Sequence, residues 1–139
     1  ESMIQVKKNS SLLINGMKGD HCEIELVIKH TGVSSFGIDV LCNEEGQDGL
    51  RIKVNREKNL LEVGDQNGDF TLKSDEPLSL RIFVDACLIE VFANERQVVM
   101  ADKKRPAGSK IKDQISLFSG ESDLLVDYLS FWKMKSAYK

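Results

Sequence analysis

No apolar run in this chain approaches the ~20 residues that a membrane-spanning helix needs, so no partner in a bilayer is indicated. Charge of one sign is also scarce. A net charge of −3 over 139 residues gives no electrostatic reason to expect nucleic acid or an anionic membrane as partner. Cysteine is sparse and odd in number: Cys22, Cys42 and Cys87 lie far apart, which argues against a disulfide framework and leaves room for one bridge at most. There are two histidines, His21 and His30, and neither has a second ligand at metal spacing, so no metal and no cofactor are expected. No G-x-S-x-G, P-loop or dinucleotide fingerprint occurs. The opening ESMIQVKKNSS lacks the apolar core of a signal peptide and does not begin with methionine, so it reads as a processed chain or excised domain. The compartment stays open, and a secreted or periplasmic full-length protein is compatible with this reading.

Helical periodicity is missing almost throughout, and alternation of period two takes its place. Cys22, Ile24, Leu26 and Ile28 alternate with Glu23, Glu25, Val27 and Lys29. Phe36, Ile38, Val40 and Cys42 form a second such run, and Leu50, Ile52 and Val54 a third. Cys22 and Cys42 share the apolar phase and are expected to be small buried hydrophobes. Further strands are expected at Ser11–Asn15, Leu60–Gly64, Asp69–Lys73, Gln97–Lys103, Asp113–Phe118 and Leu124–Met134. Turn formers punctuate them at HTGVSS, NEEGQDG, GDQNGD, SDEP, RPAGSK and SGESD. The only prolines, Pro77 and Pro106, fall between strands, where a missing N–H is harmless. Many short strands at this spacing, with 41% hydrophobic residues, predict one all-β domain built as a sandwich or barrel.

The stretch LSLRIFVDACLIEVFANERQ, Leu78 to Gln97, holds two acids near a tight turn. Pairing Val84 with Ile89 puts Leu80, Ile82, Val84, Ile89, Val91 and Ala93 on an aliphatic inner face. Arg81, Phe83, Asp85, Leu88, Glu90 and Phe92 then share the outer face. A second two-residue turn at Glu95–Arg96 would carry Val98 and Met100 to the core side, and a loop one residue longer would reverse this. Asp85 and Glu90 would lie diagonally on one face, ~7 Å apart, a separation that a glycosidase acid pair uses. A bare sheet face offers no pocket, however, so the stronger reading gives Asp85 to the turn and Glu90 to Arg81 or a neighbouring domain. Asp65–Asp69 has a faint calcium-loop pattern, but Phe70 stands where that loop needs glycine, and Asn67-Gly68 predicts a hairpin turn instead. In the last strand, Trp132 and Tyr128 are candidates to stack on a sugar ring, against the commoner role of a lone tryptophan in closing a core or domain interface. Lys133, Lys135 and Lys139 read as a solvated end.

RIFVDACLIEVFANERQ resembles the pattern R-[IV]-F-[VI]-D-x-S-x-[IV]-E-V-F-x-N of the C-terminal module of glycoside hydrolase family 32, which contains invertases, levanases, inulinases and other β-fructosidases. ISLFSGESDLLVDYLSFWKMKS is similar to the family's closing strands, and EIELVIKHTGVSSFGIDVLCNEEG to its first long ones, so the resemblance covers about Cys22 to Ser136. Cys87 stands where the pattern has serine, and the turn at Asn94–Arg96 lacks the glycine or aspartate often found there. The resemblance implies an antiparallel β-sandwich of the concanavalin A-like, jelly-roll type, packed beside a five-bladed catalytic β-propeller of the same polypeptide. The family's acids lie in propeller motifs of the W-M-N-D-P-N, R-D-P and E-C kind, none of which occurs here. The expectation is therefore a domain with no catalytic residue, a fragment of a hydrolase of sucrose or fructans. Its interface candidates are Arg81, Phe83, Asp85, Glu90, Phe92 and Asn94. The competing reading is an autonomous carbohydrate-binding module that binds fructan or another glycan through Trp132 and Tyr128, with only 6% aromatic residues to build it. A third is a pure interaction or adhesion domain.

Overall fold

Alternating side chains give a strand one wet and one dry face, and two such sheets bury their dry faces against each other. The computed structural model describes residues 2–103 and 113–134. These form β1 (Ser2–Val6), β2 (Ser10–Lys18), β3 (His21–Ile28), β4 (Ser35–Cys42), β5 (Leu50–Asn55), β6 (Leu60–Val63), β7 (Gln66–Asp69), β8 (Leu78–Asp85), β9 (Leu88–Ala93), β10 (Gln97–Asp102), β11 (Gln114–Ser119) and β12 (Leu124–Lys133). The first sheet has the order β1-β12-β3-β8-β9-β10 and the second β2-β11-β4-β5-β6-β7, and every pairing is antiparallel. The fold is an antiparallel β-sandwich of the concanavalin A-like jelly-roll class. The turn expected at RPAGSK and the terminal Lys135 and Lys139 lie outside the described residues.

Between the sheets lies an aliphatic core, with Ile24, Leu26 and Ile28 from β3 facing partners such as Ile38, Ile52 and Leu61 from the second sheet's strands. Each fully buried side chain of this size contributes roughly 1.5–3 kcal/mol. Cys22 and Cys42 are buried as expected, and burial pushes both thiols up to about 12. Cys87 is free and exposed in the β8–β9 turn. One flank of the sandwich is closed by Gln97 of β10, whose Nε2 donates to the Asp69 carbonyl at the end of β7, 2.8 Å away.

Three expectations are corrected. Strand β1, pairing with β12, was not foreseen, because only Ile4 and Val6 alternate in its short run. The strand expected at Asp69–Lys73 is instead β7 at Gln66–Asp69, and the hairpin turns at Gly64-Asp65 rather than at Asn67-Gly68. Gly64 takes a left-handed φ of 58° there at no steric cost, and its N–H donates to the Arg51 carbonyl at 2.9 Å. Asn67 and Gly68 consequently become strand residues opposite Glu62 and Leu61, which also disposes of a calcium loop.

The third correction concerns the meander. The β8–β9 ladder has the expected register, Phe83 opposite Glu90 and Val84 opposite Ile89, around an Ala86–Cys87 turn. The β9–β10 turn, however, contains Asn94, Glu95 and Arg96, because Ala93 pairs with Gln97. Asn94 and Glu95 both adopt left-handed φ, 49° and 57°. The extra residue shifts the phase of β10, so Val99 and Ala101 are buried while Val98 and Met100 point outward, 46% and 49% exposed. This phase is testable by charge insertion. Val99→Asp should destabilise the domain by about 3 kcal/mol or more in urea unfolding, as should Ile82→Asp and Val91→Asp. Val98→Asp should stay within about 0.5 kcal/mol of wild type. Equal loss from Val98→Asp and Val99→Asp would contradict the three-residue turn.

Candidate functional site

Residues opposite one another on neighbouring strands share a face, and the first sheet's register assembles an outer surface row by row. One row runs Trp132, Glu23, Phe83, Glu90, Met100 across β12, β3, β8, β9 and β10. The next runs Ser130, Glu25, Arg81, Phe92, Val98. Tyr128 and Val27 lie beyond Arg81 at one end, and His21, Asp85, Leu88 and Asp102 form the row at the other. The candidate sugar-stacking residues Trp132 and Tyr128 and the interface candidates Arg81, Phe83, Asp85, Glu90 and Phe92 are thus brought to a single surface. In β12 the buried phase steps from Val126 to Leu129, which turns Tyr128 and Trp132 outward, 48% and 49% exposed.

Charge on this face is partly matched. Arg81 Nη2 donates to Glu23 Oε2 at 2.7 Å, across the ladder to β3 on the side away from β9, so of the two partners expected for Glu90, Arg81 is taken by another acid. The Arg81 guanidinium sits 5.6 Å from the Phe83 ring centre, and Phe83 meets Phe92 edge to face at 5.6 Å. Asp85 is engaged by His21, whose Nδ1 is 2.8 Å from Asp85 Oδ1, with Asp20 at 3.8 Å from Nε2. Asp85 and Glu90 therefore share a face as expected, but Asp85 meets His21 while Glu90 lies opposite Phe83 and Met100. Among the described residues there is no group of three or more histidine, cysteine or acidic side chains arranged to hold a metal.

The second sheet's outer face is closed by its own side chains. Asp39 accepts from Arg51 with both oxygens, at 2.9 and 3.0 Å, and the Arg51 guanidinium stacks 3.8 Å from the Phe118 ring centre. Phe118 beneath it is only 5% exposed. A cleft of about 680 Å³ at one end is lined by His30, Thr31, Arg56, Leu72 and Asp75. Its arginine serves the fold, since Arg56 donates to the Thr31 and Leu72 carbonyls and ties two loops together. No sequence pattern had singled out Asp39, Arg51, Phe118 or Glu23. The alternation places each on an outward phase, but only the strand order reveals its partner.

The fold and this surface can be set beside known proteins. The family described as "Glycosyl hydrolases family 32 C terminal" matches residues 1–133. The chain belongs to this family. No curated protein sequence matches it significantly. Among solved structures it is similar to the fructosyltransferase of A. japonicus (TM-score 0.80, 14% identity, 100% of this chain and 27% of that one). It is also similar to fructan 1-exohydrolase IIa of Cichorium intybus (TM-score 0.79, 16% identity, 99% of this chain and 35% of that one). Chicken galectin 2 shares the fold over its whole length (TM-score 0.63, 11% identity, 93% of this chain). The chain therefore spans about a quarter to a third of the two fructan-related enzymes.

Within this family 32 C-terminal module, Asn94 stands apart from the other interface candidates. Its side chain accepts from Ser79 N–H at 2.6 Å and donates to the Pro77 carbonyl at 3.0 Å and to Glu76 at 3.3 Å. Next to it, Arg96 binds both Glu76 oxygens, donates to the Thr71 carbonyl at 2.6 Å, and lies over the Phe70 ring. Asn94 and Arg96 together clamp the β9–β10 turn to the segment before β8. The Arg96 hydrogen bond, with the Lys73 N–H and Asn94 adding to it, pushes the Glu76 carboxyl down from 4.5 to about 2. A carboxyl lowered on folding stabilises the native state fully above its unfolded value and loses that contribution as pH falls through the folded one. The stability difference between wild type and Glu76→Gln should therefore be constant above about pH 4.5 and shrink between pH 4.5 and pH 2. Urea titrations of both proteins across that range check this, and a gap unchanged at pH 2 would refute it. Because the pair is open to solvent, the gap should also narrow in high salt.

Proposed function

We propose that this module has no catalytic site of its own and docks, through the outer face of its first sheet, on the catalytic β-propeller of the same polypeptide. The whole enzyme would hydrolyse fructose-containing sugars, and the module would stabilise the propeller. One observation carries the docking reading. Of the nine large apolar side chains exposed among the described residues, six, Leu88, Val98, Met100, Leu125, Tyr128 and Trp132, stand on this face. On the opposite outer face Arg51 covers the Phe118 ring. Exposed aromatics, methionine and arginine in one patch are the composition of a protein interface. Six strands ~4.8 Å apart and averaging about seven residues give a face on the order of 600 Å², the scale of one side of a standard interface. The substrate class is supported by the pattern in β8 and β9 and by the similarity to a fructosyltransferase and a fructan exohydrolase.

A second reading, an autonomous carbohydrate-binding module, is favoured by one feature: the exposed Trp132 beside the fixed Glu23–Arg81 pair, an aromatic platform next to hydrogen-bonding groups. Calorimetric titration of the purified chain with fructo-oligosaccharides separates the two. The docking reading expects no heat at millimolar ligand, whereas saturable heat abolished by Trp132→Ala would establish the second.

Two outcomes follow from the first reading. The purified chain should release no fructose from sucrose, inulin or levan, and measurable release would overturn the absence of a catalytic site. In the full-length enzyme, Val98→Ser with Met100→Ser should separate the module's thermal transition from that of the catalytic part and expose the junction to protease. The same pair should leave the melting of the 139-residue chain unchanged, because both side chains already face water there. A full-length double variant that melts and resists protease like wild type would place the interface elsewhere.

A further inference from the structure

Glu90 stands in a frame of apolar side chains. Its same-face neighbours along β9 are Leu88 and Phe92, and across the ladders it faces Phe83 on one side and Met100 on the other. The basic groups of this face are engaged elsewhere, Arg81 with Glu23, His21 with Asp85 and Lys29 over the Tyr128 ring. Among the described residues Glu90 has no side-chain hydrogen bond or ion pair. Water solvates this carboxylate in the free module. A partner surface shaped to Phe83, Phe92 and Met100 removes that water, and an ionised carboxylate covered without a counter-charge strongly opposes association.

We infer that the catalytic part of the polypeptide presents a basic side chain, an arginine by preference, directly to Glu90. This inference rests on the docking reading above. The charge balance of the face points the same way: Glu23, Glu25, Asp85, Glu90 and Asp102 are acidic, against Arg81, Lys29 over the Tyr128 ring, and a histidine. Arginine fits better than lysine because its planar guanidinium can grip both carboxylate oxygens while stacking on the neighbouring phenylalanine rings. Glu90 is then the polar anchor that fixes the register of an otherwise apolar contact.

The test compares Glu90→Gln and Glu90→Lys in the full-length enzyme, followed by calorimetry. Glu90→Gln should lower the module's transition by roughly 5 °C or more. Glu90→Lys should lower it further, since it sets like charges together. Neither should move the melting of the 139-residue chain, whose Glu90 is outward and unpaired with any described residue. Glu90→Gln melting like wild type, or Glu90→Lys melting at or above Glu90→Gln, would overturn the basic partner. The Val98→Ser, Met100→Ser variant separates this failure from that of the docking reading. If that variant loosens the module while the Glu90 variants do not, docking stands and only the basic partner falls. If neither set has an effect, both fall.

Discussion

A strand has two faces, and the number of residues in the turn before it decides which side chains each face receives. In the β8–β10 meander that decision rests on the clamp between the β9–β10 turn and the segment preceding β8. Asn94 binds Ser79 and Pro77, Arg96 binds Glu76 and Thr71, and the turn between them is held at three residues. Removing one residue would turn Val99 and Ala101 to water and drive Val98 and Met100 into the core. The packing of β10 and the apolar character of the outer face are therefore two consequences of one local constraint. Glu76 is central to it, because a single carboxylate receives both Arg96 and Asn94.

The two outer faces of the sandwich use arginine differently. Arg51 stacks at 3.8 Å on Phe118, has both carboxylate oxygens of Asp39 in its fork, and so closes the second sheet with a lid made from its own side chains. Arg81 also has a carboxylate partner and a phenylalanine neighbour, but it lies 5.6 Å from the Phe83 ring and leaves Phe83 and Phe92 half-buried. A lid at van der Waals distance removes the ring from water, and one farther off does not. Phe118 is thereby withdrawn from water on the second sheet, while Phe83 and Phe92 stay half-buried on the first.

Much of this was legible in the order of residues. Period-two alternation located most strands, the all-aliphatic phase of Leu80 to Ala93 fixed the β8–β9 register, and the apolar phases of β3 and β4 predicted burial of Cys22 and Cys42. Within the pattern shared with family 32, Arg81, Phe83, Asp85, Glu90 and Phe92 point outward and Ile82, Val84, Ile89 and Val91 inward, as strand alternation requires. What failed was turn length. Asn94 and Glu95 accept left-handed φ without being glycine, and two glycine turns competed within GDQNGD, so composition could not choose between them. Strand order has no local signal at all. Only the pairing of β12 with β3 brings Trp132 beside Glu23, and through Glu23 to Arg81.

That pairing also constrains function. Trp132 lies in the same row as Glu23, Phe83, Glu90 and Met100, about four strand spacings, roughly 19 Å, from one end to the other. A folded partner of standard size covers a patch wider than this. A body seated on Met100 and Glu90 would therefore reach the Glu23–Arg81 pair and crowd the indole of Trp132. Docking and sugar stacking thus compete for one surface rather than dividing it. The same geometry gives the two acids near the tight turn different surroundings: Asp85 faces His21, whereas Glu90 sits among apolar side chains. Only a covering surface could enclose Glu90, and a surface close enough to do so would occupy the space a sugar ring needs.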